Sequence, residues 1–538
     1  MYSHNELSER LSITSAHFED SGKIQVRSGE ESPYTTAEIL KMDWANLIHE
    51  LKTFKSDSWL GPTIRGFSSA LEQAVIQFPD KFVLDIDKFI DSPYIYVYSI
   101  LSGLQNVWKA KTVFDWEKVL TFCSNYISSK SYGSGKLSFD ADSWKFSSDS
   151  VEGQIANLIE EGTRSDDWAF EIGLVPKAEE ILSFITRKLN STDLSRLESP
   201  TLDYPTFAIN TTQGKVFRAL LDCALRNRRN NVLDNWLSFE KPLFINGIER
   251  GMLEVDVFIG WYFRQFYYLD EVWVGEYLTQ LSNKNYESWK AFMGGYLFPN
   301  PTSNRAIFDL MVPHYKLAIE KKFIPKNFGA FNNGLTRHLG CYYFWSFEDL
   351  VEGSLIKDFI DNGSAEGLSD LVHFFRIQKD YVKQLTDPEK VIFKGKIILF
   401  WKYVLSKLEK TGDEPYVKVV GQLSDLIIYF EELNEEIFEL VRPSLKLVAT
   451  NHGWHFIQEQ FIQILKTNNS VSNSKIIARL FIELLKNTTP YYREEDIKFI
   501  VNALFTYGES KPLANEICEI YLRRGLEFLR PIHDANNP

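Results

Sequence analysis

Cysteine is scarce in this sequence. Four occur in 538 residues, Cys123, Cys223, Cys341 and Cys518, and the nearest two stand 100 positions apart. No CxxC is present, which excludes a zinc ribbon and a thioredoxin-like redox motif. Thiols scattered this way suit a reducing compartment, each buried as a small hydrophobe. Long apolar runs are missing too. Nothing approaches the ~18 consecutive apolar residues of a membrane-spanning helix. Excess positive charge is also missing: the net charge is −13 and the pI near 5.4. That opposes nonspecific binding to phosphate backbones, although a local basic groove stays compatible with it. The opening MYSHNELSERLSITSAHFED is polar and acidic and has no signal-peptide pattern. A cytoplasmic location without membrane contact is therefore the expectation. Period-two alternation is nearly absent, and no run of strands is predicted.

What the sequence does have is helical period and aromatic bulk. Hydrophobic content is 44% and charged content 24%, ordinary for a globular chain. Aromatics reach 14%, with 40 Phe, 25 Tyr and 13 Trp, ample material for large cores. From Thr36 the pattern turns helical, with Ile39, Leu40, Trp44, Leu47, Ile48, Leu51 and Phe54 in register. Asp43-Trp44 followed by Leu47-Ile48 returns as Asp115-Trp116 followed by Val119-Leu120, which suggests a repeat of two helical hairpins. Residues 128–150 are rich in Ser and Gly and read as a linker. From about 365 to 530, helices of about 15 residues alternate with short connections, the make-up of α-solenoids. The expected fold is all-α, an α-solenoid of helical hairpins (HEAT/TPR-like repeats) in two or three blocks. The blocks are a loose lead-in at 1–35, N-terminal repeats at 36–127, the linker at 128–150 and a helical connector at 151–204. An aromatic-rich central block follows at 205–362 and C-terminal repeats at 363–538.

The stretch Pro205–Asn231 stands at the start of the central block. Asn210, Thr211 and Thr212 are side chains suited to capping a helix. Val216, Phe217, Leu220, Leu221, Ala224 and Leu225 then form a wide apolar stripe. Arg226, Arg228 and Arg229 load its C-terminal end, where the helix dipole favours cations. Two readings stand side by side: a well-capped core helix, and a junction whose arginines face a partner. Further on, a helix is predicted over 254–269, with Val255, Phe258, Ile259, Tyr262, Phe266 and Leu269 on one stripe. Trp261, Arg264 and Tyr268 fall on another face. Such a helix is either buried between neighbours or offers an aromatic–arginine surface of the composition found in interface hot spots.

Chemistry-bearing motifs are incomplete. Gly133-Ser134-Gly135-Lys136 lacks the upstream Gly of a phosphate loop and the Ser or Thr after its Lys, and Gly214-Lys215 and Gly395-Lys396 fail likewise. His452 and His455 share a spacing that could face one metal, with Glu459 a turn beyond, but no HExxH is present. His338 and Cys341 are spaced to touch on a helix, with no third group to orient them. No GxSxG elbow occurs. Carboxylate pairs such as Glu431-Glu432 are too numerous to mark acid–base catalysis. Neither a cofactor nor a metal is expected, and enzymatic activity is not favoured.

The segment Ala208-Ile209-Asn210-Thr211-Thr212-Gln213-Gly214-Lys215, followed by an Ala-Leu-Leu helix, resembles a region of large bacterial anti-phage defence proteins. These are the STAND-type NTPases and relatives with a sirtuin-like effector. The aromatic block Trp261–Trp273, Trp289 before Gly294-Gly295, and Phe344-Trp345-Ser346-Phe347-Glu348-Asp349-Leu350 resemble the same helical region, over roughly residues 40–400. The resemblance implies a helical sensor that binds a phage protein, with nucleotide hydrolysis and killing carried by other domains. It implies no catalytic residue here. The leading expectation is thus protein recognition, with Trp261, Arg264, Tyr268, Arg226, Arg228 and Arg229 as partner-binding residues. The competing expectations are a nuclease or hydrolase with a diffuse active site, and a nucleic-acid-binding helical scaffold. Oligomeric state is left open.

Overall fold

The structure is a computed structural model that describes residues 31–55, 61–134, 137, 146–192, 203–232, 236–283, 286–323, 325, 333–408, 414–447 and 455–537. Its regular structure is helical, and no strand occurs among the described residues. The chain divides into two compact units. The first combines Met1–Lys188 with Ala219–Asn230, the second Leu189–Arg218 with Asn231–Pro538.

The first unit is built from α1 (Thr36–Lys41), α2 (Trp44–Thr53), α3 (Ile64–Gln77), α4 (Pro79–Leu84), α5 (Tyr94–Lys109), α6 (Trp116–Ser128), α7 (Ser148–Thr163) and α8 (Val175–Lys188). The two Asp-Trp copies both begin helices. Asp43 accepts from the Asn46 N–H at 3.0 Å and Asp115 from the Lys118 N–H at 3.1 Å, so each carboxylate satisfies a donor that the first turn leaves unpaired. The following tryptophans then differ. Trp44 is half-buried and donates to Asp85 at 2.7 Å, whereas Trp116 is buried among Trp108, Phe114 and Phe170. Pro79–Leu84 is α-helical, and the chain continues as a 3-10 turn at Ile86–Phe89. Packing skips one neighbour: α1 lies on α3, α3 on α5 and α5 on α7, while α4 lies on α6 and α6 on α8.

The second unit opens with α9 (Tyr204–Asn210). Next comes α10 (Thr212–Arg229), whose residues to Arg218 belong to this unit and from Ala219 to the first. Thr211 caps α10, its hydroxyl accepting from the Gly214 N–H at 3.1 Å. Then come α11 (Lys241–Glu249), α12 (Leu253–Trp261), α13 (Phe263–Leu269), α14 (Glu271–Asn283), α15 (Tyr286–Tyr296), α16 (Arg305–Glu320) and α17 (Gly334–Phe344). Among the described helices the most extensive packing is α12 on α15. Gly260 lies against the Phe292 carbonyl and Gly295 against the Val257 carbonyl, an approach that any Cβ would obstruct. The helix predicted over 254–269 is two helices. Tyr262 leaves helical geometry at φ −101°, ψ 29°, so that α12 stays against α15 while Phe266 of α13 reaches Phe244 and Trp273.

The rest of the unit is α18 (Leu355–Asn362), α19 (Ala365–Ile377), α20 (Lys379–Lys383), α21 (Asp387–Leu408), α22 (Glu414–Leu423), α23 (Glu435–Leu447), α24 (His455–Thr467), α25 (Ser474–Asn487), α26 (Glu494–Thr506), α27 (Lys511–Arg523) and α28 (Arg530–Asn536). Packing again connects alternate helices. α17 lies on α19, α23 on α25 and α25 on α27, while α16 lies on α18, α24 on α26 and α26 on α28; α19 lies instead on α22, three helices on, and the consecutive pairs α22–α23 and α26–α27 also pack together.

Candidate functional site

The basic end of α10 is mostly structural. Arg226 is buried, and its guanidinium donates to the carbonyls of Gly162, at 3.3 Å, and Phe170. It lies over the Phe170 ring, 5.2 Å from the centroid. The Gly162 carbonyl belongs to the last turn of α7, where such groups have no partner within the helix, and a cation there is favoured. Burial pushes the Arg226 guanidinium below its usual pKa, with Asp166 opposing. Arg229 pairs with Asp166, and the neighbouring Asn227 donates to the buried Glu179 at 2.7 Å. Arg226, expected at a partner surface, is instead buried and bonded within its own unit. Its charge is consumed inside the first unit, because carbonyls of α7 and of the following turn need a donor. Arg229 is tied to the same turn, and Arg228 is half-buried. At the far end of the chain, Arg524 likewise donates to the Leu485 and Thr488 carbonyls.

The aromatic set also divides. Trp261 ends α12 half-buried, stacked on Phe258 and Tyr262 with its edge against Phe298, 4.8 Å away. Arg264 and Tyr268 lie on α13, beyond the break, and both are exposed. The three residues therefore do not form one helix face, since the turn at Tyr262 removes the register between Trp261 and the other two. Beyond the junction at Asp270, which also leaves helical geometry at φ −159°, ψ 89°, Val272 on α14 is exposed too, at 72%, against 53% for Tyr268. Asp270 holds that junction. It accepts from the Trp273 N–H at 2.9 Å, the Lys241 ammonium at 2.9 Å and the Trp236 indole at 3.2 Å. Burial alone would raise the pKa of this carboxyl, but these donors outweigh it and hold it below the usual range. Val272 was missed in the sequence because an aliphatic after Asp-Glu reads as the start of a buried stripe.

The other candidates resolve as packing. His338 accepts the Tyr315 hydroxyl at Nδ1, 2.7 Å, and donates from Nε2 to the Pro299 carbonyl at 2.9 Å. The carbonyl can only accept, so this assigns the proton of the neutral ring to Nε2. Burial lowers the His338 pKa to about 3, and burial pushes the Cys341 thiol up to about 12. A thiol held protonated is a poor nucleophile. The His452–His455 pair lies outside the described residues: His452 is not among them, nor is the His455 side chain. Gly135 and Lys136 are likewise outside the described residues. Among the described residues no group of three His, Cys, Asp or Glu is placed to hold a metal ion, and no helix is long and apolar enough to cross a membrane.

One open groove of about 670 Å³ lies between α16 and α18, lined by Lys316, Glu320, Lys322, Asp358, Asp361 and Asn362. Burial would raise the Asp361 pKa, but hydrogen bonds from Lys357, Tyr403 and Lys407 hold it at about 2. The groove mixes both signs of charge on solvated side chains. No protein-family model matches the chain, and no curated protein matches it.

Proposed function

We propose that the chain is a protein-recognition module, an α-solenoid of helical hairpins that binds a partner protein in bacterial antiviral defence. The observation that carries the reading is the exposed row Arg264–Tyr268, one turn apart on α13, with Val272 exposed on the next helix. The Asp270 node holds the end of α13 that carries the row. Tyr and Arg are the residues that dominate binding energy at protein interfaces, when flanked by apolar surface that excludes water. The alternate-helix packing of the first unit and of much of the C-terminal part of the second supports a solenoid, in which stacked hairpins present extended surfaces. The resemblance to the sensor half of anti-phage defence proteins supports a phage protein as the partner. Internal use of Arg226 and Arg229 weighs against the nucleic-acid reading, because the densest basic cluster in the sequence is spent on the first unit.

The test is affinity capture from infected and uninfected bacterial cells, with the wild type beside Arg264→Glu/Tyr268→Ala and a control changed at the remote exposed Phe499. A protein retained by the wild type and the control but lost by the double variant is the expected result. Equal capture by all of them refutes the assignment of this row.

A further inference from the structure

Helix α21 is apolar on two opposite faces. One face, with Phe393, Ile397, Phe400, Trp401 and Val404, is buried. The other carries Val391, Ile392 and Leu399, exposed by 69%, 56% and 57%. Gly395 sits among them, with no atom near the space a Cβ would take. A helix apolar all round is normally covered all round, and an exposed contiguous apolar stripe marks an interaction surface.

The order of residues along that stripe specifies what covers it. Asp387, Val391, Gly395, Leu399 and Lys402 follow at helical spacing on one face. Val391 and Leu399 stand four residues to either side of Gly395. Acid lies beyond one and base beyond the other. A two-fold axis through Gly395 lays Val391 of one copy on Leu399 of the next and brings Asp387 toward Lys402. The glycines meet at the crossing, where the lack of side chains lets backbones approach closely. An isologous interface requires this kind of self-complementarity. Asp387 and Lys402 are now held only by surface pairs, with Lys390 at 3.5 Å and Glu436 at 2.6 Å. Such pairs are weak, so exchanging partners costs little. We infer that two copies of this chain dock antiparallel through the outer face of α21.

Sedimentation velocity of the full chain across a concentration series tests this. Because a single helical stripe is at the small end of interface sizes, a reversible monomer–dimer equilibrium is expected at micromolar concentration. Gly395→Leu leaves the fold intact, since the position is open and leucine is the better helix former, and it weakens the dimer by about tenfold or more. Val391→Lys and Leu399→Glu each weaken it. Both in one chain restore it, because the introduced charges face each other across the axis. A chain that stays monomeric throughout, as when another segment or a different protein covers the stripe, overturns the inference. So does a dimer indifferent to Gly395→Leu, or a double variant no tighter than the singles.

Discussion

Replacing Arg226 by Ala separates a structural arginine from a binding one. The buried guanidinium donates to two carbonyls, of Gly162 and Phe170, and covers the Phe170 ring. Hydrogen bonds from charged donors contribute about 1.5–3 kcal/mol each, and a buried acceptor left without a partner costs about 1–3 kcal/mol. Water entering the space returns part of that, so about 3 kcal/mol is a fair expectation for the variant. With an m-value of about 2 kcal/mol/M in urea, the unfolding midpoint of the first unit moves down by about 1.5 M. The unit carries its own reporter, since Trp108 lies 5.1 Å from Trp116 and 4.6 Å from Trp168, and Trp116 lies 4.9 Å from Phe170. Tryptophan fluorescence during urea titration follows it. Arg226→Lys keeps the charge but not the fork that reaches both carbonyls, and it falls close to the alanine variant. Arg264→Ala, on the exposed face of α13 in the second unit, changes stability by no more than about 0.5 kcal/mol and leaves the first unit's midpoint in place. If Arg226→Ala leaves the midpoint in place, the guanidinium is not the donor that closes the α7 terminus, and the structural assignment is wrong.

Gly260→Ala and Gly295→Ala force a methyl against a carbonyl of the facing helix, at Phe292 and Val257 respectively. Each should destabilise the second unit by about 1–3 kcal/mol, seen as a lower melting temperature in circular dichroism at 222 nm. An unchanged melt would mean that α12 and α15 do not cross in backbone contact. The buried histidines give a pH test. Burial lowers His314 to about 4 and His338 to about 3, below the ~6.5 of an unfolded chain. Below about pH 6.5 the unfolded state binds protons that the native state refuses, so stability falls as pH drops toward 4, by up to about 1.4 kcal/mol per unit per histidine. His314→Phe removes one titrating group within an aromatic environment and should flatten that slope. A slope between pH 6 and 4.5 equal to that of the wild type would refute the burial argument for His314.

Local chemistry was readable directly. Thr211 caps a helix, as its place before the apolar stripe led one to expect, because a cap needs only the three residues that follow it. The stripe from Val216 to Leu225 turns inward because apolar side chains at the helical period share one side of the backbone, whatever the helix packs against. The helical character follows for the same reason: it rests on interactions within a few residues.

Contacts between distant residues were not readable. Nothing near Arg226 in sequence indicates that a turn some sixty residues earlier presents unpaired carbonyls to it. The sequence placed a basic side chain at a helix end, and packing decided whether that end met solvent or α7. Trp261 parted from Arg264 and Tyr268 because α12 is held by a glycine crossing with α15, a constraint that no periodicity within 254–269 expresses. The outer stripe of α21 shows the same divide. Its residues are evident in the sequence as apolar positions, yet only the assembled helices show which of the two apolar faces they leave uncovered. Helix period, caps and the helical regular structure of the described residues were thus determined by the sequence itself, through short-range geometry. Which charges are spent inside, which aromatics stay outside and where helices touch at the backbone were decided by tertiary structure, because burial is a property of neighbours that the chain meets only on folding.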